Sequence, residues 1–252
     1  MRLTKIPVVL LALASAVSLI SGATAASSSP NAKIPIFDKD SYLFNNKWGG
    51  NSGLQTIRDQ NGEGHLEWAW GNSATSVQGY PSVVRGWHWD TPGFKTHTLP
   101  IAVTSPKACS LRSTLKYKLK ASGAYDAAYD LWTATGRNLS WQTKPSLEVM
   151  VWGEHERVNP AGSPTGTATI GGHNWTVWRG TGPFGGPVVS FVAGSGALHG
   201  SLNLMQFVRT AAGPDADPNL RLISTEFGVE VTQGSGSATV QKWTQQRSRS
   251  CK

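Results

Sequence analysis

Apolar and polar residues alternate along most of this chain with a period of two, the pattern of half-buried β-strands. In Leu147-Glu148-Val149-Met150-Val151-Trp152, the residues Leu147, Val149 and Val151 share one face while Glu148, Met150 and Trp152 share the other. The first face reads as core. The second sets a carboxylate, a thioether and an indole in a row, which needs solvent or polar partners nearby and so reads as the floor of a cleft. Residues 125–133 repeat the arrangement, with Asp126, Ala128, Asp130 and Trp132 facing one way and Tyr125, Ala127, Tyr129 and Leu131 the other. Residues 222–232 do so again: Ile223, Thr225, Phe227, Val229 and Val231 alternate with Ser224, Glu226, Gly228 and Glu230.

Shorter runs at 41–50, 65–70, 80–89, 111–119 and 187–193 predict further strands, and Gly171-Gly172 predicts a tight hairpin turn. The one convincing helix is at 202–212, with apolar Leu204, Met205 and Val208, Ser201 as candidate N-cap and Gly213-Pro214 as the stop. Residues 153–166 contain Gly, Pro, Glu154 and Glu156 and read as a solvated loop at a cleft rim. Many short strands with one helix predict an all-β sandwich of two antiparallel sheets.

The first 25 residues stand apart from this pattern. Arg2 and Lys5 precede an apolar run from Ile6 to Ile20, and Ala23-Thr24-Ala25 supplies the small residues of a cleavage site, so 1–25 read as a signal peptide and the product as secreted. About 227 residues remain, with no second apolar run of membrane-spanning length. Residues 26–40, rich in Ser, Pro and Ala at their start, read as a flexible leader before a single domain at 41–252. The formal charge of +8 falls to +6 once the two basic residues of the signal are removed. The positive residues are scattered, which argues against nucleic acid as a partner; only Arg247, Arg249 and Lys252 bunch together, as a solvated tail. The two cysteines, Cys109 and Cys251, are a candidate disulfide in an exported chain.

No metal-ligand cluster, phosphate-binding loop or Gly-x-Ser-x-Gly elbow occurs, and the expectation is a reaction without metal or cofactor. The six histidines are dispersed, and His88 and His155 read as ordinary surface or packed residues. Carboxylates on two separate strands of a tryptophan-rich exported protein point instead to glycoside hydrolysis, in which a pair of acids flanks the scissile bond. Asn46 and Trp48, two apart near a strand end, add an amide and an indole suited to holding a sugar.

Glu148-Val149-Met150-Val151-Trp152 resembles the E-hydrophobic-M-hydrophobic-W strand of glycoside hydrolase family 12, and Phe227-Gly228-Val229-Glu230 resembles its F-G-x-E strand. Asn45-Asn46-Lys47-Trp48-Gly49, Tyr129-Asp130-Leu131-Trp132, Gly171-Gly172 to Trp175 and Ser190-Phe191-Val192-Ala193 follow the family's order. The resemblance implies a secreted β-jelly-roll endoglucanase acting on a β-glucan, with Glu148 as nucleophile and Glu230 as general acid/base. It implies that Asp130 supports the nucleophile, that Met150 packs beneath the sugar, and that Asn46, Trp48 and Trp132 bind glucose units. Trp152, Asp126 and Trp87 are further substrate-binding candidates, and Glu226 is the rival for the second acid. Val231-Thr232 in place of the family's Pro-Phe, an acid at Asp126 where an amide is common, and no cysteines for the N-terminal disulfide are departures. A soluble monomer is expected. The alternatives are a carbohydrate-binding sandwich without turnover, and a structural or wall-sensing protein.

Overall fold

The computed structural model describes residues 25–50, 53–94 and 96–251; the signal-peptide reading lies on residues 1–24, outside them, and reaches only Ala25. The strands are β1 (Ala25–Ser27), β2 (Lys33–Pro35), β3 (Ser41–Phe44), β4 (Gly53–Gln60), β5 (Glu63–Trp70), β6 (Ser82–Gly86) and β7 (Ile101–Ala102), followed by β8 (Leu111–Thr135). Then come β9 (Leu147–Glu156), β10 (Ser163–Ile170), β11 (His173–Thr181), β12 (Pro187–Val192), β13 (Gly200–Asn203), the helix α1 (Leu204–Ala212) and β14 (Leu220–Arg247). The architecture is the expected β-jelly roll with one short helix.

Two long strands organise it. β8 and β14 pair antiparallel from Leu111↔Arg247 to Thr135↔Leu220, and the hydrogen-bonded order runs β4-β5-β14-β8-β9-β12-β11-β10. Because these two strands run through both layers, all fourteen strands join into one network rather than two separate sheets. The sheet is mixed, not purely antiparallel: β9 and β12 run parallel, with Val188 opposite Glu148 and Val192 opposite Trp152.

One face of the β14–β8–β9 ribbon enters the core. Phe227, Val229 and Val231, Ala127, Tyr129 and Leu131, and Val149 and Val151 all belong to one buried cluster. Helix α1 closes this cluster on the side away from the carboxylates, where Phe207 meets Trp175 edge-on at 5.1 Å and Phe191 at 5.3 Å. Arg209 of the helix donates from Nη1 to the Cys109 carbonyl at 3.0 Å and from Nε to Val103 at 3.2 Å. The hairpin between β10 and β11 turns at Gly171 and Gly172, whose φ values of 63° and 83° are the left-handed pair that a two-residue turn requires.

Three boundaries differ from the sequence reading. The segment 26–40 is not a free leader: β1 pairs with β4, β2 pairs with β3, and Ile34 and Ile36 are buried on either side of Pro35. The helix is capped at Asn203 rather than Ser201, because buried Leu202 is held in β13 against Ser113. The loop read at 153–166 is strand as far as Glu156, and Glu154, read as solvated, accepts a hydrogen bond from the Tyr117 hydroxyl. Among the described residues no helix is long and apolar enough to cross a membrane.

Cys109 and Cys251 are bridged across 142 residues of sequence, which fastens the chain end to the start of β8. A cross-link over a loop of that length stabilises the fold chiefly by restricting the unfolded chain. Replacing both cysteines by serine is therefore expected to lower the unfolding free energy by about 2–5 kcal/mol in a urea titration. An unchanged midpoint would show that the bridge carries no such constraint.

Candidate active site

The opposite face of the β14–β8–β9 ribbon carries the acids. Register places Glu230 directly across from Asp126, Glu226 across from Asp130, Asp130 across from Met150, and Trp132 across from Glu148. Directly opposed side chains stand about 5 Å apart at Cβ, so this pairing alone brings the carboxyls of three strands together. Small residues lie between them. Ala128 and Gly228 face each other, and a Cβ on Gly228 would fall 2.4 Å from the Pro81 carbonyl and 2.9 Å from the Tyr80 ring. That glycine lets Tyr80 cross the strand, and its hydroxyl donates to the Ala128 carbonyl at 3.0 Å.

Asp126, Glu148, Met150, Trp152 and Glu230 all line one cleft of about 920 Å³. Met150, Trp152 and Val188, packed on buried Ala128, make its apolar floor, and the Trp152 indole N–H donates to the Met150 sulfur at 3.5 Å. On the β14 side the wall is Trp48, residues 74–77 and Gln233; on the β9 and β12 side it is residues 157–159, Ala161, Gly182 and Pro183. Gly182 has no room for a side chain, since a Cβ there would lie 2.7 Å from Glu148 Oε2.

The indole of Trp48 is 51% exposed and donates its N–H to the Val77 carbonyl at 2.7 Å. With its polar atom engaged, the ring offers the cleft an apolar face. Asn46 does not share that face as the alternation predicted. It adopts φ 29°, which interrupts the strand period and leaves Asn46 buried beside the cleft while Trp48 turns into it. Asn45 fixes this bend by donating from Nδ2 to the Ser29 carbonyl at 2.9 Å.

Trp132 and Trp87 are placed differently again. Both pack with Ala134, Phe184 and Ile223 in an aromatic cluster next to the cleft, and neither lines it; Trp87 borders a separate hollow with Phe94 and Trp141. Glu226 is fully buried and outside the cleft, bonded to His88 Nδ1 at 3.0 Å and to the Ser224 hydroxyl at 3.2 Å. The rival acid thus lies on the acid face but outside the cleft, and His88, read as an ordinary residue, is its partner. Residues 74–77, Arg157, Asn159, Thr232 and Gln233 were not singled out from sequence. A register irregularity between Val231 and Gln233 turns both Thr232 and Gln233 toward the cleft, which strict alternation cannot anticipate.

Burial of so many acids shifts their protons. The Glu148 carboxyl is pushed up to about 8 by burial first, then by the charges of Glu230 and Glu226. Asp130 is held well above the ordinary range by burial and by Glu148, Glu226 and Glu230, with the Trp132 indole opposing. Asp126 is raised well above it too, by burial and by the charge and hydrogen bond of Glu230. Glu230 is raised by burial and eased down by its bond to Asp126. Facing each other across one strand pair, Asp126 and Glu230 disfavour each other's ionisation. Among the described residues, no hydrogen-bond donor reaches the buried Glu148 Oε2.

Residues 41–247 match glycosyl hydrolase family 12. The chain belongs to that family. It is 35% identical over 233 residues to Endoglucanase S of Pectobacterium parmentieri, covering 87% of both chains. It is 28% identical over 208 residues to a probable xyloglucan-specific endo-beta-1,4-glucanase A of Aspergillus oryzae, covering 77% of this chain and 79% of that one. Among solved structures, the family 12 xyloglucanase of Bacillus licheniformis superimposes with a TM-score of 0.80 at 31% identity, over 89% of this chain and all of that one. This family 12 chain is a glycoside hydrolase, and Asp126, Glu148 and Glu230 face its open cleft.

The shifted Glu148 carboxyl has a consequence for stability. A group that titrates near 8 when folded and near 4.5 when unfolded favours the folded state fully below pH 4.5, and that contribution is lost as the pH rises toward 8. Glu148→Gln, neutral at every pH, is expected to flatten the decline in unfolding free energy between pH 5 and 8 by roughly 3 kcal/mol. Urea titrations at the two pH values measure it; a variant with the wild-type slope would contradict the assignment.

Proposed function

We propose that this enzyme is a secreted endo-β-1,4-glucanase that cuts internal linkages of a β-glucan with retention of configuration. The observation that carries the reading is one open cleft lined by Glu148 from β9 and Glu230 from β14, with a single strand between them and Asp126 paired to Glu230. Secretion is supported by the basic, apolar and small-residue order of residues 1–25 and by the bridge between Cys109 and Cys251.

The roles follow from the surroundings of each acid. Glu230 is raised by burial opposite Asp126 and is the group equipped to donate a proton, so it protonates the glycosidic oxygen as the bond to the anomeric carbon breaks. Glu148 attacks that carbon and forms a glycosyl ester. It must first be ionised, and a sugar hydroxyl donating to its unpartnered Oε2 favours that form. The leaving chain departs with the proton of Glu230. Glu230, now a carboxylate, takes a proton from water, whose oxygen attacks the same carbon and frees Glu148. Two inversions give net retention. Met150 and Trp152 floor the reacting sugar, and Trp48 offers a stacking face further along. The names of the relatives support a β-1,4-glucan backbone as the substrate class, either unbranched or of the xyloglucan type.

Incubation with carboxymethyl cellulose, lichenan and xyloglucan is expected to release reducing ends from at least one, with the β-anomer appearing first by proton NMR. Glu148→Ala and Glu230→Ala should each lower kcat more than about 1,000-fold on polysaccharide. Glu230→Ala should keep its first step on activated aryl glycosides and be rescued by azide as the β-glycosyl azide. Binding of all three glucans without release would instead make the protein a carbohydrate-binding sandwich, and an initial α-anomer would mean inversion.

A further inference from the structure

The first half of β8 and the second half of β14 form the layer on the other side of the core from the acids. Leu111, Leu115 and Tyr117 of β8 enter the same buried cluster as Tyr129 and Leu131 further along that strand, so the residues that alternate with them face away from it. Basic residues that are scattered along the chain are gathered on this outer face. Lys116, Lys118 and Lys120 are exposed and stand about 7 Å apart in a row, Arg112 extends the row, and exposed Lys242 of β14 lies directly opposite Lys116. Among the described residues none of these five groups takes part in an ion pair. The acids on the β5 part of the face are engaged elsewhere, Glu67 with Arg58 at 2.8 Å and Glu63 with the Gln241 amide at 3.1 Å. Like charges directly opposed across a strand pair cost stability, so Lys116 against Lys242 is a juxtaposition that folding alone does not favour. Lysines also guard unpaired strand edges, and among the described residues β8 is paired only by β14 between Leu115 and Tyr125. Edge protection accounts neither for Arg112, which is paired on both sides, nor for Lys242 on the neighbouring strand.

Hydroxyls are interleaved with the charges. Lys118 faces Thr239, Lys120 faces Ser237, and Thr114 faces Thr244. Beside Lys120, the small residues Ser122, Ser235, Gly236 and Ser237 leave a shallow hollow of about 560 Å³, with Glu67 at its far side. Of the exposed large apolar side chains among the described residues, Trp48 is in the cleft and Leu54 stands at the β4 corner of this face. Bases therefore find no ring to stack on along the row, and a bilayer meets one leucine rather than an apolar surface. Carboxylates repeated along a chain of hydroxyl-bearing rings match both the lysines and the hydroxyls between them. We propose that this face docks an acidic polysaccharide, a chain of sugar units bearing uronic-acid carboxylates, and holds the protein on it with the cleft free. The inference goes beyond the glucanase reading and does not depend on it, because the row and the catalytic acids lie across the core from each other.

Polygalacturonate is the probe, and its fully methyl-esterified form is the uncharged control on the same backbone. The wild-type protein should bind the acid form and not the ester, with an affinity that falls more than about tenfold between about 50 and 200 mM salt. Lys116→Gln/Lys118→Gln/Lys120→Gln should weaken that binding by at least about tenfold. Lys39→Gln/Arg137→Gln/Lys144→Gln removes the same charge from exposed turn and loop positions off the face, and should change it less than about twofold. Equal loss in the two triple variants would reduce the effect to net charge and overturn the proposal. So would binding of the ester, no binding at all, or tighter binding of double-stranded DNA or of phosphatidylglycerol vesicles than of polygalacturonate.

Discussion

The register between three strands is the constraint on which everything else depends. β14, β8 and β9 pair so that Glu226 and Glu230 fall opposite Asp130 and Asp126, Asp130 opposite the Met150 thioether, and Glu148 opposite the Trp132 indole. Because the side-chain period is two, a slip of one residue would drive Glu226, Glu230, Asp126, Asp130 and Glu148 into the core and expose Phe227, Tyr129 and Val151. The core face therefore enforces the acid face: burying those aromatic and branched side chains holds in place a set of carboxyls that would otherwise repel one another.

That crowding is tolerable because the acids do not all ionise. Burial holds the facing Asp126 and Glu230 carboxyls above the ordinary range and pushes Glu148 up to about 8. The apolar floor of Met150 and Trp152 raises the electrostatic cost of charge. In the proposed mechanism the sugar's hydroxyls offset that cost, one acid losing a proton and another passing one on.

Much of this was legible in the chain. Alternation alone assigned the core and cleft faces of β9, the informative part of β8 and the first half of β14, since apolar side chains alternate with acids or other polar and small residues along most of each. The glycine pair of the β10–β11 hairpin was equally plain. What escaped detection depended on distant partners. Ile34 and Ile36 are only two apolar residues in a Ser- and Pro-rich segment, and nothing local reveals that β3 receives them. Trp87 and Trp132 could not be distinguished from Trp48 as sugar platforms, because an indole's neighbours decide whether it packs or stacks. His88 lies 138 residues from Glu226, so their hydrogen bond had no sequence signature.

Treatment with a 2-deoxy-2-fluoro cellobiosyl fluoride, followed by peptic digestion and mass mapping, tests the central claim most directly, because the fluorine slows hydrolysis of the glycosyl ester. The account predicts a single added disaccharide on the peptide containing Glu148 and none on Glu230. A label on Glu230, on Glu226, or on no carboxyl in a protein that is otherwise active would contradict it.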